Sequence, residues 1–184
     1  MKMNYQTSEV RAIDHIGITV PDLEAAALFL EQAFGAVAIY DNVIPTDEPQ
    51  QGADAEAKLG LAKGSAIIHM RMMRIGDGAS IELFEMKVPG KRKKDIIPSD
   101  IGLQHFAVYT EDIDETKRKF TEAGGKVLKG PNKMLGREGG DGNWFMYAVT
   151  PWGTFVEFIT YPSELEIEKT TTLRRWKPQP GKDE

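Results

Sequence analysis

The sequence predicts an α+β fold made of two tandem βαβββ modules, and three observations carry that prediction. A shift of 90 residues places His15 on His105, Asp22 on Asp112, Leu23 on Ile113, Leu30 on Phe120, Ala33 on Ala123 and Gly35 on Gly125. A second shift, of 75 residues, places Gly78-Ala-Ser-Ile-Glu-Leu-Phe on Gly153-Thr-Phe-Val-Glu-Phe-Ile, and so Glu82 on Glu157. In both copies a stretch of period-two alternation gives way to helical spacing that stops at glycine. The two shifts differ, so the first copy carries an insertion between its landmarks.

In the first module, residues 12–20 alternate as a half-buried strand, with Ile16, Ile18 and Val20 on one face and His15, Gly17 and Thr19 on the other. Pro21 and Asp22 end the strand and start a helix over 23–34, whose Leu23, Ala26, Ala27, Leu30 and Ala33 form an apolar stripe. A short strand follows over 36–40. The insertion, 41–64, is polar and holds Pro45, Pro49 and Gly52; it reads as a mobile lid or as a helical turn within 53–61. Strands at 66–74 and 80–86 flank the turn Ile75-Gly-Asp-Gly.

The second module opens with a strand over 102–109, then a helix over 113–123 closed by Gly124-Gly125 and a strand beginning at 126–128. Residues 130–143 form a loop rich in glycine and charge, and 144–149 with 154–161 close the module as a hairpin through Pro151-Trp-Gly. The organisation is an N-terminal arm (1–11), a first module (12–88), a linker (89–101) with the run Lys91-Arg-Lys-Lys, a second module (102–162) and a charged tail (163–184) in which Leu173 and Trp176 are candidates to dock.

Composition narrows the function. At 184 residues, 41% hydrophobic and 28% charged, the chain suits one domain or two small modules sharing a core. A net charge of −5 argues against nucleic acid as a partner. No apolar run approaches the ~20 residues of a membrane span, and the N-terminus lacks a signal peptide's apolar core, so a cytoplasmic protein is expected. There is no cysteine, so any metal must sit on nitrogen and oxygen ligands.

Of three histidines, two hold equivalent positions, as do Glu82 and Glu157. His15 shares a strand face with Gly17 and Thr19. Each glutamate is flanked by apolar residues that point the other way, so it lines a cavity or meets solvent; buried and unpaired it would be costly. Two imidazoles and two carboxylates, His15, Glu82, His105 and Glu157, suit one divalent ion such as Zn, Ni, Co, Mn or Fe. His69, mid-strand among methionines, is expected to be structural first and pocket-lining second. The loop Gly136-Arg-Glu-Gly-Gly-Asp-Gly-Asn lacks the Gly-Lys-Ser/Thr of a phosphate-binding loop and reads as a lid, with Arg137 a candidate anion contact.

The segments Asp14-His15-Ile-Gly-Ile, Asp22-Leu23 leading to Phe34-Gly35, Ile81-Glu82-Leu83, Leu103-Gln-His105-Phe-Ala-Val and Thr150-Pro-Trp-Gly with Val156-Glu157-Phe158 resemble the vicinal oxygen chelate superfamily of glyoxalase I, methylmalonyl-CoA epimerase, extradiol dioxygenases and fosfomycin-resistance proteins. The resemblance spans residues 13–162. It implies an open, cupped mixed-sheet barrel with the metal in the hollow, held by His15, Glu82, His105 and Glu157, and a homodimer whose modules meet within one chain or across two. Glu82 matches the glyoxalase side, where the epimerases usually have glutamine. The Phe-Tyr pair late in the first glyoxalase helix is Phe29-Leu30 here, and no arginines suited to glutathione carboxylates are evident.

The function this implies is a glyoxalase-like lyase or isomerase acting on a small molecule through a metal-stabilised enediolate, with Glu157 the first choice for the base and Glu82 the second. The alternatives are an epimerase of the methylmalonyl-CoA type, an extradiol-type dioxygenase with Glu82 disengaged, and a non-catalytic module that sequesters antibiotics or other small molecules.

Overall fold

The computed structural model describes residues 13–90, 97–99, 102–172 and 174–178. The N-terminal arm, the first residue of the predicted opening strand, the basic run Lys91–Lys94 and Leu173 lie outside the described residues.

The first module runs β1 (His15–Val20), α1 (Leu23–Phe34), β2 (Val37–Val43), β3 (Gln50–Gln51), α2 (Ala53–Leu59), β4 (Ala66–Arg74) and β5 (Ser80–Lys87). The second runs β6 (Phe106–Tyr109), α3 (Ile113–Glu122), β7 (Lys126–Val127), β8 (Asn132–Lys133), β9 (Trp144–Val149) and β10 (Phe155–Thr160). Each module is one mixed sheet, ordered β1-β5-β4-β2 and β6-β10-β9-β7, with the two-residue strands β3 and β8 attached to β4 and β9. The histidine strand pairs in parallel with the glutamate strand in both, β1 on β5 and β6 on β10. The sheets are open, as a cupped architecture requires.

The two helices start by the same device. Asp22 Oδ1 accepts from Ala25 N–H and Asp112 Oδ1 from Glu115 N–H, each at 2.9 Å. α1 ends on Gly35 in the left-handed region, φ 65°. At the equivalent Gly125 the need is space, since a Cβ there would lie 2.1 Å from Phe120 Cε1.

The insertion is more ordered than a simple lid. β2 runs three residues past its predicted end to Val43, through irregularities between Ala38 and Tyr40 and between Asp41 and Val43. The helical turn expected within 53–61 is α2, closed by Gly60 at φ 66°. Residues 130–143 likewise contain β8 and a 3-10 turn, Gly136–Glu138. Two-residue strands leave no periodic signature in sequence, which is why they read there as loop.

One core joins the modules. Ile18, Val20, Ile81 and Leu83 from the first sheet and Phe106, Val156 and Phe158 from the second belong to the same buried cluster as α1 and α3. Phe120 packs edge-on to Phe29 and to Phe158, each with ring centroids 5.0 Å apart. The modules therefore meet through their helix-bearing faces. Among the described residues, no helix is long and apolar enough to cross a membrane. The tail follows the second module: Leu165 is buried, and Tyr161 Oη donates to the Trp176 carbonyl, while the Trp176 side chain stays 55% exposed.

Candidate metal centre

Strand alternation puts His15 and Glu82 on the sheet face opposite Ile18, Ile81 and Leu83, and His105 and Glu157 opposite Phe106, Val156 and Phe158. Both pairs thus face away from the shared core. Parallel pairing brings each glutamate beside its histidine strand, with Gly17 opposite Glu82 and Ala107 opposite Glu157. These small residues leave room for the ring to reach across.

The two pairs have the same geometry. His15 Nε2 lies 3.2 Å from Glu82 Oε2, and His105 Nε2 lies 3.2 Å from Glu157 Oε2. The carboxylates are the more sheltered members, with side chains 17% and 13% exposed against 40% and 23% for the histidines. Within one chain the four residues form these two pairs. No group of three or more histidine, aspartate or glutamate side chains placed to hold a metal occurs among the described residues.

Each histidine is anchored by the residue before it. His15 Nδ1 meets Asp14 Oδ1 at 2.8 Å, and His105 Nδ1 meets Gln104 Oε1 at 2.7 Å. Both partners accept, so Nδ1 carries the hydrogen and the Nε2 lone pair faces a glutamate oxygen. Two acceptors facing each other at 3.2 Å call for a cation, either a proton or a metal ion. Nitrogen and oxygen donors that share an ion at ~2.0–2.2 Å are themselves about 3 Å apart, so each pair fits as half of a ligand set. The hydrogen bond that His15 donates to Asp14 raises the His15 pKa; partial burial opposes it, and the Glu82 charge adds to the rise.

Each pair borders a small apolar cluster on its own sheet face. Phe84 and Met86, in step with Glu82 along β5, pack with Val43, Ile67, Met70 and Leu61. Ile159, in step with Glu157 along β10, and Tyr161 just past its end pack with Met134, Leu165, Tyr109 and Phe145. Tyr147 stands opposite Glu157 on β9, edge-on to the His105 ring at 5.0 Å. Burial, then the charges of Glu157 and Glu138, raises its phenol pKa, so the hydroxyl keeps its proton. Tyr147 is not among the residues expected from sequence, although its alternation with Phe145 along β9 offers the signal.

His69 lies away from this face. An irregularity between Ile67 and His69 reverses the alternation and turns His69 toward the helix side. There it is 3% exposed, with Nε2 3.5 Å from Asp41 Oδ2, beside the fork of Arg71 on Asp41 and Glu24. That buried placement, on the face away from Glu82, agrees with the structural expectation rather than with pocket lining.

Residues 12–158 match the family model for the Glyoxalase/Bleomycin resistance protein/Dioxygenase superfamily. The chain is 31% identical over 170 residues to a 2-epi-5-epi-valiolone epimerase of an Actinomyces species, covering 91% of this chain and 89% of that protein. It is 28% identical over 127 residues to an ethylmalonyl-CoA/methylmalonyl-CoA epimerase of Cereibacter sphaeroides, covering 69% and 81% respectively. Its fold is similar to that of a glyoxalase family protein from Bacillus cereus, with TM-score 0.65, 19% identity, and 84% and 97% of the two chains covered. The fosfomycin resistance protein FosX of Listeria monocytogenes is also similar in fold, with TM-score 0.53, 17% identity and coverage of 83% and 94%.

Proposed function

This chain belongs to the Glyoxalase/Bleomycin resistance protein/Dioxygenase superfamily, and from that premise we propose that it is a divalent-metal-dependent epimerase. It inverts a carbon next to a carbonyl in a small molecule, and a polyhydroxylated cyclic ketone of the 2-epi-5-epi-valiolone kind is the first substrate to test. The observation that carries this is the duplicated pair, one histidine and one glutamate presented identically by each module. The identity with an epimerase over 91% of the chain supports inversion over the lyase chemistry of glyoxalase I.

Inversion needs a proton removed from one face of the carbon and returned to the other. Two carboxylates on separate modules suit such a transfer, with Glu157 taking the proton and Glu82 delivering one. His15, Glu82, His105 and Glu157 would hold one ion of Zn, Ni, Co, Mn or Fe, which when bound supplies Lewis acidity toward the substrate carbonyl and so acidifies the neighbouring C–H. Tyr147, neutral beside Glu157, faces the same space and can donate to a substrate oxygen.

One chain holds its pairs apart, so the site is completed by a second copy in a two-fold dimer. The first module of one subunit meets the second module of the other, giving two equal sites. Both histidine strands lie at open sheet edges, β1 in one sheet and β6 in the other. Each is preceded by an exposed apolar residue at the equivalent position, Ile13 at 73% and Leu103 at 67%. Those edges are suited to pair.

The test is a proton NMR assay in D₂O with the protein loaded in turn with each of the five metals. Appearance of the epimer, with deuterium at the inverted carbon, is the expected result for 2-epi-5-epi-valiolone. Inversion of ethylmalonyl-CoA or methylmalonyl-CoA instead would keep the reaction class and change the substrate; the 28% relative makes these the second candidates. Turnover of 2-oxoaldehyde–thiol adducts alone would return the chain to glyoxalase-like chemistry and overturn the epimerase assignment.

A further inference from the structure

The two histidine anchors differ in a way that matters for what each ring presents. Asp14 is a carboxylate, and either of its oxygens accepts from His15 Nδ1. Gln104 is an amide with one accepting and one donating end, and unassisted it could face His105 either way. A third group removes the ambiguity. Gln104 Nε2 donates to the Pro98 carbonyl at 2.8 Å, and a carbonyl can only accept. Gln104 Oε1 is therefore the atom 2.7 Å from His105 Nδ1. That oxygen calls for a hydrogen on Nδ1, in competition with Glu157 Oε2, which lies 3.2 Å from Nε2 and calls for a proton or a metal ion there.

We propose that Gln104 is a positioning residue that locks His105 in the Nδ1–H tautomer, with the Pro98 carbonyl setting the polarity of the lock. Pro98 lies in the segment between the modules, so the path of that segment fixes which ring nitrogen His105 offers. Without the lock the ring can place its hydrogen on Nε2 and donate to Glu157. That donation ties up the lone pair the site needs and one oxygen of the carboxylate. The importance of the lock for metal binding rests on the proposed function; the tautomer itself does not.

The experiment uses the metal-free, histidine-¹⁵N-labelled protein at a pH where the rings are neutral, with long-range ¹H–¹⁵N correlations to read each tautomer. Wild-type His105 should show its hydrogen held on Nδ1 against the pull of Glu157 on Nε2, and a wild-type ring found in the Nε2–H form overturns the lock. Gln104→Leu, at an exposed position where the change does not threaten the core, should move His105 toward the Nε2–H form and leave His15 unchanged as an internal reference. Gln104→Glu, which keeps an acceptor at Nδ1, should restore the wild-type tautomer. In a parallel titration with zinc, Gln104→Leu should weaken binding about 10–100-fold, the usual effect of losing a partner of a ligating histidine. Retention of the Nδ1–H tautomer in Gln104→Leu overturns the lock. Equal zinc affinity of wild type and Gln104→Leu overturns its positioning role. If the tautomer shifts as expected while the wild type binds no zinc or other divalent ion, the lock stands and the metal assignment falls.

Discussion

Glu157 Oε2 lies 3.2 Å from His105 Nε2, with the Tyr147 ring edge-on to the same imidazole. That arrangement gives Glu157 a cationic or metal-binding neighbour on one side and a neutral phenol on the other. Glu157→Gln keeps the shape and an oxygen donor but removes the basic site. Turnover should fall by on the order of 10²–10⁴-fold, with the thermal midpoint unchanged. Wild-type turnover in the metal-loaded variant would reduce Glu157 to a ligand.

Glu82 should fail differently. If Glu157 removes the proton and Glu82 returns it to the opposite face, Glu82→Gln loses inversion while the substrate C–H still exchanges with solvent. The assay is deuterium uptake into recovered substrate, compared with formation of the epimer. Parallel loss of both would place Glu82 with Glu157 as one functional unit rather than on its own face.

Mixing tests the shared site. His15→Ala and His105→Ala should each be inactive alone, since each removes a nitrogen donor from both sites of its homodimer. Co-refolded, they form heterodimers in which one site lacks both histidines and the other lacks neither. Random pairing in a two-fold dimer then restores about a quarter of wild-type turnover. If the mixture stays as inactive as its components, the site is not shared between chains in this way.

Much of this was legible in the sequence because duplication multiplies weak signals. A strand histidine alone says little, but His15 and His105 at one offset and Glu82 and Glu157 at another mark one pattern used twice. Alternation placed both pairs on the sheet faces opposite Ile18, Ile81, Val156 and Phe158, where the structure has them. What was hidden depends on tertiary registers. The irregularity between Ile67 and His69 reverses the face on which His69 falls, and simple alternation cannot foresee a bulge. The modules meet through α1 and α3, as in the Phe29–Phe120 contact, with both pairs on the opposite sheet faces, and no local pattern encodes that docking. Asp14 and Gln104 were visible as neighbours of the histidines, but their hold on Nδ1 is a matter of side-chain rotamers.

The shared aromatic core should make the modules unfold together. Phe120 is fully buried against Phe29 and Phe34 of the first module and Phe158 of its own. Phe120→Ala should cost about 3–5 kcal/mol in urea denaturation, while the transition remains single. Two separated transitions, with only the second module weakened, would show that the modules hold their folds independently.

Acid should loosen the base of the insertion, where Arg71 ties three elements together. Arg71 donates from Nε to Asp41 Oδ1 at 2.6 Å and from Nη1 to Glu24 Oε2 at 2.9 Å, tying β4 to β2 and α1. The guanidinium holds both carboxyls below their ordinary range, chiefly through these hydrogen bonds. A carboxylate whose folded pKa is lowered stabilises the fold above its unfolded pKa and loses that contribution as pH falls through the folded value. Most of the effect should come from Asp41, whose side chain is 22% exposed; Glu24, at 67%, is screened by water. Arg71→Met should therefore lower the denaturation midpoint most at pH 7. The gap to wild type should close as pH falls from about 5 toward 3, when the carboxyls protonate and the wild type loses the same bonds. His69, whose Nε2 is 3.5 Å from Asp41 Oδ2, remains in both proteins and supplies a common background. A gap that stays constant from pH 7 to pH 3 would mean that Arg71 acts by packing its aliphatic stem and not through these two charges.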